Sequence, residues 1–369
     1  MTIPTKSRAA VIAEYNKPYE IREFSIPEIE PRAILVKIEM AGVCGTDVHQ
    51  LAGELGLKPK LPVIPGHEAI GRIVKLGEGR TQDCAGTPIA VGDRIMWAHV
   101  SCGECRPCKI DNQPNLCVNR FSYGMSHSGI YPYLTGGFAE YVYIIPKADV
   151  VKVPNQLTND EVIGVCCAFR TAVASYERLE GLGIASTLVI QGCGPVGLYC
   201  TILAAEGGAS KIIVIGAPTL RLELAKKWGA TDVLDIESMP DPAERNKEIL
   251  KLTDGRGPDI VVEASGFLAA FREGLDMVRR GGRYLVVGQT SMEAKIPIAP
   301  GIFMQKHLQV IGNASATIDH YYKALKLIQN RRNKYPFADI VTNKYKLDQV
   351  NQAVENMKKG QEIKPVIIP

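Results

Sequence analysis

The sequence predicts an α/β protein of two domains, one mainly β and one built on a doubly wound parallel sheet. Three observations predict it. Residues 8–150 read as short strands broken by Gly and Pro, whereas over 186–311 apolar β-type runs alternate with helical patterns. A glycine-rich turn follows the first of those later runs and opens a helical pattern, the strand–turn–helix order of a βαβ unit. The length of 369 residues exceeds one ordinary core and fits about two domains.

The elements follow in order. Strands are expected over 33–40, 69–76 and 139–145, giving an irregular, mainly β domain with long loops. Thr158-Asn-Asp-Glu161 is a capping box, in which hydroxyl and carboxylate satisfy orphan N–H groups at a helix start. Parallel strands are then expected over 188–191, 212–215, 260–264, 284–287 and 308–311. A helix is predicted over 346–359 with Gly360 as its stop, and a last strand over 365–368. The C-terminal end is thus expected to rejoin the first domain. No internal repeat or low-complexity linker interrupts the pattern.

Charge and composition exclude several classes. The net charge is only +4, and the basic doublets at 226–227, 279–280, 331–332 and 358–359 are scattered. A nucleic-acid footprint needs a basic stripe, so none is expected. The N-terminus lacks the apolar segment of a signal peptide, and no run approaches the roughly 18 apolar residues of a membrane span. Ten cysteines without an export signal imply a reducing cytoplasm, with thiols free or metal-bound.

Two cysteine patterns carry chemistry. Cys102-x2-Cys105-x2-Cys108-x8-Cys117 can wrap one tetrahedral Zn²⁺, whose structural sites take four thiolates. Such a loop, about 100–118, has little side-chain core of its own, so the metal must hold it. Upstream, Cys44 and His67 supply soft and borderline ligands, and either Cys166 or Cys167 can be a third. Three protein ligands with one open position is the pattern of a catalytic zinc.

The glycine-rich turn is Gly192-Cys-Gly194-Pro195-Val196-Gly197. Gly192 permits the tight turn, Gly194 lets backbone approach a pyrophosphate, and Gly197 allows close helix–strand packing. The helix start then offers N–H donors and partial positive charge to a dinucleotide, here a nicotinamide one. About twenty residues on, where an acid normally holds the NAD ribose, stands Gly216. Its missing carboxylate removes the bar against a 2′-phosphate, and Arg221 can pair with one. The lean is therefore to NADP over NAD.

Together Cys44-Gly45-x-Asp47, Gly66-His67-Glu68, the four-cysteine lobe, the glycine turn and Gly288 resemble the zinc-dependent medium-chain alcohol dehydrogenases, nearly end to end. The resemblance implies a GroES-like catalytic domain at 1–168 plus 312–369, interrupted by a Rossmann domain at 169–311. It makes Cys44, His67 and Cys167 the catalytic zinc ligands, since the third lies four residues before a nicotinamide-contacting threonine, here Thr171. Glu68 would sit behind the zinc and Asp47 would orient His67. Thr46 would take the substrate proton and pass it to His49 through the cofactor ribose. Val287 and Gly288 join the cofactor site. The implied reaction moves a hydride between an alcohol and NAD(P), in a homodimer or homotetramer with two zincs per chain.

Three departures bear on preference rather than chemistry: eight residues precede the last lobe cysteine, Gly45 replaces a phosphate-binding arginine, and 81–90 lengthens a loop. Aromatic, sparsely charged segments around Trp97, His99, 121–133 and Phe303 favour a neutral, secondary or cyclic alcohol. The competing readings are a zinc-ribbon interaction protein and a non-catalytic NAD(P)H-binding protein of the same fold; zinc stoichiometry separates them from an enzyme.

Overall fold

The computed structural model describes residues 3–56, 58–288 and 294–369. Backbone contacts divide the chain into two units: 1–167 with 317–333 and 337–369, and 168–316 with 334–336. The first stretch carries β1 (Lys6–Val11), β2 (Glu20–Ser25), β3 (Ile34–Gly42), β4 (Glu68–Leu76), β5 (Arg94–Trp97), β6 (Tyr141–Ile144) and β7 (Val150–Lys152). The second unit carries β8 (Thr187–Gln191), β9 (Lys211–Gly216), β10 (Asp232–Asp235), β11 (Ile260–Glu263), β12 (Arg283–Val286) and β13 (Gln309–Gly312). The returning segment adds β14 (Val341–Lys346) and β15 (Lys364–Ile368).

In the first unit, β14-β15-β3-β4-β5-β7 form one sheet, with β6 pairing β3, and β1 and β2 form a separate hairpin. Apart from the parallel β14–β15 pair, its ladders are antiparallel. Strand β3 is buried along most of its length because β4 and β6 cover its edges and Ile34, Val36 and Ile38 enter the main core. The lengthened loop before β5 is tied down by buried Asp83. Its carboxylate accepts from Ala85 N and Thr87 N, at 2.9 and 2.8 Å, and from Lys152 N at 2.9 Å. The expected capping box forms: Thr158 Oγ1 accepts from Glu161 N, and Glu161 accepts from Thr158 N. The expected C-terminal helix begins as a 3₁₀ turn and becomes α-helical over Val350–Lys358.

In the second unit, six parallel strands lie in the order β10-β9-β8-β11-β12-β13. This is the doubly wound dinucleotide-binding order, whose direction reverses between the first and fourth strands, here β8 and β11. The central runs TLVIQ, KIIVIG and IVVE are buried almost throughout. That continuous apolarity is expected of parallel strands covered on both faces. Among the described residues no helix is long and apolar enough to cross a membrane.

Candidate active site

Two neighbouring turns assemble the first donor cluster. Strand β3 ends where Gly42 pairs with Glu68 of β4, so Cys44, which caps the helix Gly45–Ala52, comes beside His67. Cys167 follows the 3₁₀ turn Ile163–Cys166. The donor atoms of Cys44, His67, Glu68 and Cys167 all lie within 4.8 Å of one another. Cys166 points elsewhere, its thiol donating to Ala69 O at 3.3 Å. Of the two neighbouring cysteines, the turn brings Cys167, the one the resemblance selects, to the cluster and leaves Cys166 in the core.

Asp47 is fully buried and does two jobs. Oδ2 accepts the Cys44 N–H at 2.8 Å, fixing the helix start, and Oδ1 lies 3.6 Å from His67 Nδ1. At that separation Asp47 acts on His67 through its charge. Burial is the largest single influence and pulls the His67 pKa down, but Asp47 and the two thiols together outweigh it and leave His67 well above its usual range. The thiols behave as a pair. The contact with Cys167 is the largest cause raising Cys44, to about 11 with burial adding to it, while the same contact holds Cys167 well down. Two thiols sharing one proton beside a raised histidine is what a cation displacing those protons would relieve, and the donor set fits zinc.

Behind the cluster lies a group the sequence reading missed. Lys364, on returning strand β15, donates to both Glu68 oxygens at 2.9 and 2.8 Å and to Val43 O at 3.3 Å. Both partners are buried, at 0% and 1% exposure. Burial raises the Glu68 pKa against the opposing pull of Lys364; Lys364 is raised because Glu68 and the two thiols outweigh its own burial. A β-carbon on Gly42 would lie 2.3 Å from Glu68 Oε2, so glycine there leaves room for the carboxylate.

Thr46 and His49 both lie on the helix Gly45–Ala52. The Cys44 thiol lies 3.7 Å from Thr46 Oγ1. His49 is 46% exposed and its Nδ1 lies 2.8 Å from Glu54 Oε2.

The second donor cluster is local. Cys102, Cys105, Cys108 and Cys117 converge within the same 4.8 Å limit. Cys105 Sγ lies 3.4 Å from Cys108 Sγ and 3.9 Å from Cys117 Sγ. These are far beyond a disulfide bond of about 2.05 Å. They bracket the roughly 3.8 Å edge of a tetrahedron with zinc–sulfur bonds of about 2.3 Å. Backbone N–H groups of Glu104 and Cys105 point at Cys102 Sγ, both at 3.4 Å, and lower its pKa to about 6. Such donors prepare thiolate, so this cluster also fits zinc.

In the second unit the glycine turn joins β8 to the helix Pro195–Glu206. Gly192 has φ of 101°, which favours glycine, and donates to Ile215 O at 2.7 Å. A β-carbon on Gly197 would meet Gly192 O at 1.8 Å, whereas one on Gly194 meets nothing within 4 Å. Closeness at one glycine and open space at the other suit a pyrophosphate at the helix start. Pro195 and Val196 form the first turn of that helix, and Thr171 lies in the helix Ala168–Glu177. Val287 and Gly288 both donate to Glu263 O at 2.9 Å. Glu263 is a further residue that sequence reasoning missed: its buried carboxylate also accepts from Ser265 N and Gly266 N, both at 2.8 Å. The Ser-Gly pair after a buried strand was its available signal.

At the end of β9, Gly216 is enforced by packing. A β-carbon there would lie 2.3 Å from Cys193 Sγ, the residue between the first two glycines of the turn. Arg221 follows on the first turn of the helix Thr219–Lys227, and burial lowers its pKa.

A soft-donor cluster and a dinucleotide-type turn in one chain define a metal-dependent oxidoreductase. Residues 30–155 match the alcohol dehydrogenase GroES-like domain, and residues 195–330 match the zinc-binding dehydrogenase family. Over 363 residues, 98% of both chains, the protein is 35% identical to 5-exo-hydroxycamphor dehydrogenase of Pseudomonas putida. It is similar to the solved alcohol dehydrogenase of Thermotoga maritima, at 33% identity and a TM-score of 0.91 over 99% of both chains. A zinc-binding dehydrogenase of Sinorhizobium meliloti 1021, solved bound to NADP, matches at 26% identity and a TM-score of 0.84, covering 99% of this chain and 100% of the other. The chain belongs to the zinc-dependent medium-chain alcohol dehydrogenases. It is a GroES-like and Rossmann-type oxidoreductase acting on CH–OH groups, using zinc and a nicotinamide cofactor.

Proposed function

We propose that this dehydrogenase interconverts a neutral, secondary or cyclic alcohol and its ketone, with Cys44, His67 and Cys167 holding a catalytic zinc. Cys102, Cys105, Cys108 and Cys117 hold a second, structural zinc. The observation that carries this reading is the buried cluster of two thiols, an imidazole and a carboxylate within 4.8 Å. Its fourth member, Glu68, is gripped by Lys364, which leaves three protein ligands and one position for substrate. The similarity to a hydroxycamphor dehydrogenase supports a secondary, ring-bound hydroxyl.

Bound there, zinc supplies a Lewis acid for the alcohol oxygen, and the nicotinamide supplies the hydride acceptor. The chain's own residues do the rest. Asp47 holds the His67 ring through charge and anchors the Cys44 turn by accepting its N–H. Thr46 Oγ1 accepts the substrate hydroxyl proton, and His49 receives it at Nε2, its other nitrogen facing Glu54. Gly192, Gly194, Pro195, Val196 and Gly197 cradle the pyrophosphate, Thr171, Val287 and Gly288 border the nicotinamide, and Gly216 and Arg221 meet the adenosine end. Residues 1–168 with 312–369 form the catalytic domain and 169–311 the cofactor domain, in a cytoplasmic homodimer or homotetramer.

For the cofactor we propose NADP. Cys193 fills the space into which an acid at position 216 would project, so no carboxylate there opposes a 2′-phosphate. The neighbouring Asp235, in register with Gly216, is engaged by Thr219 Oγ1 at 3.2 Å and Glu237 N at 2.8 Å. The NADP-bound Sinorhizobium relative supports the preference. The test is a panel of alcohols and carbonyls followed by nicotinamide absorbance, with NAD and NADP separately. Turnover of secondary or cyclic alcohols, faster with NADP, is expected. Gly216→Asp combined with Cys193→Gly should move the kcat/KM ratio toward NAD by about tenfold or more. Absence of turnover with two zincs bound contradicts the reading.

A further inference from the structure

Strands β8, β11 and β12 end side by side in the second unit, with Gln191, Glu263 and Val286 in register. The turns that follow them close on one another. A β-carbon on Gly192 would lie 2.8 Å from Ser265 N, and one on Gly288 would lie 2.3 Å from Gly266 N. The turn at 265–266 is thus the middle member, touching the glycine turn on one side and Gly288 on the other. In open α/β sheets a dinucleotide lies across the strand ends at such a switch point.

Glu263 holds this middle turn. Its Oε1 accepts from Ser265 N and Gly266 N, both at 2.8 Å, and from Ser265 Oγ at 2.5 Å. Its backbone oxygen accepts from Val287 N and Gly288 N. Oε2 faces Gly288, where a β-carbon would come within 2.4 Å of it.

The charge of this carboxylate is left standing. Glu263 is 1% exposed and has no cationic side chain within ion-pair reach among the described residues. Two other buried glutamates are neutralised, Glu68 by Lys364 and Glu273 by Arg245. At Glu263 three dipolar donors stabilise the anion without cancelling its net charge. A charge held out of water acts on its surroundings more strongly than one in water.

We infer that Glu263 is the charge by which the dinucleotide site prefers the oxidised cofactor. Oxidised and reduced nicotinamide differ by one positive charge, carried on the ring of the oxidised form. In the reading above Val287 and Gly288 border that ring, and Glu263 stands directly behind both. Its carboxylate therefore stabilises the cationic form and not the neutral one. The assignment rests on the dehydrogenase reading and adds a direction to it. A tighter grip on the oxidised form makes the bound reduced cofactor the better hydride donor, which favours carbonyl reduction.

The test is equilibrium binding of oxidised and reduced NAD and NADP to the zinc-loaded chain, by calorimetry, in the parent and two variants. Glu263→Gln keeps an oxygen for Ser265 N and Gly266 N and removes the charge. It should raise the ratio of Kd for the oxidised form to Kd for the reduced form about tenfold. Ser265→Ala loosens the same turn but takes a donor from the carboxylate, so it should lower that ratio by about threefold. A merely structural role weakens both forms alike and leaves the ratio unchanged in both variants, which would overturn the charge assignment alone. Should thermal unfolding show that the glutamine variant does not fold, the sign of the Ser265→Ala change decides. A parent chain that binds neither dinucleotide in either state would overturn the assignment together with the dehydrogenase reading.

Discussion

The two cysteine clusters differ in how the chain builds them. The lobe draws all four donors from residues 102–117, needs no distant segment, and aims backbone N–H groups at its sulfurs. The cluster at Cys44 draws on three segments, up to 123 positions apart at Cys44 and Cys167, and is closed behind by Lys364 from a fourth. In the lobe four thiols are what a tetrahedral ion would need to be saturated. At Cys44 the donors are unlike, one of them is tied to a lysine, and three remain. A site made from one loop can be held by its metal; a site assembled from several strands is held by the fold and can leave a position open.

The largest effect separating them is expected from Cys167→Ala. It should remove one zinc of two and lower kcat/KM by on the order of 10³-fold, with little change in thermal unfolding, as read by metal analysis beside steady-state kinetics. Next comes Lys364→Met, which leaves Glu68 buried without its partner. Denaturant unfolding should show a loss of about 3–5 kcal/mol, and adding Glu68→Gln should restore part of it. Full stability in the single variant would mean that Glu68 is already neutral and needs no counter-charge.

Asp47→Asn should cost about 10–100-fold in activity or in affinity for the zinc at Cys44, because His67 loses its orienting charge. Zinc in the lobe should be untouched, and a competition assay with a colorimetric chelator distinguishes the two. The smallest effect on chemistry is expected from Cys105→Ser. It should release the lobe zinc and open residues 100–118 to limited proteolysis, yet leave kcat per intact chain within about threefold. A kcat collapse there would break the division between the two clusters.

What was legible in the sequence follows the same divide. Cys102 to Cys117, the Gly192–Gly197 turn and the Thr158 capping box are written at short spacing, where residue identity and local geometry are one problem. The central parallel strands were legible because burial on both faces makes them continuously apolar, whereas the edge strand β10 (Asp232–Asp235), short, only partly buried and flanked by acids, was not. Lys364 was not, since its meaning depends on pairing with Glu68, 296 residues away, across a strand that returns from the second unit. Between Cys166 and Cys167 the residues alone left the choice open and only the resemblance picked Cys167; one 3₁₀ turn brings that thiol to the cluster and leaves its neighbour against Ala69. Cys193 carries no signal of its own between the two glycines; only the approach of Gly216 makes it a gate on that position. Glu263 likewise acquires its role from the turns that gather around it.

The central claim is that the two clusters hold two zincs of different character. Its most direct measurement is stepwise metal removal from the zinc-loaded chain, with bound zinc and alcohol oxidation read on the same samples. Two zincs per chain are predicted, with activity falling in proportion to loss of one of them while the lobe keeps its own. Activity that survives loss of the zinc at Cys44, His67 and Cys167, or a fully active chain with one zinc in the lobe, would contradict it.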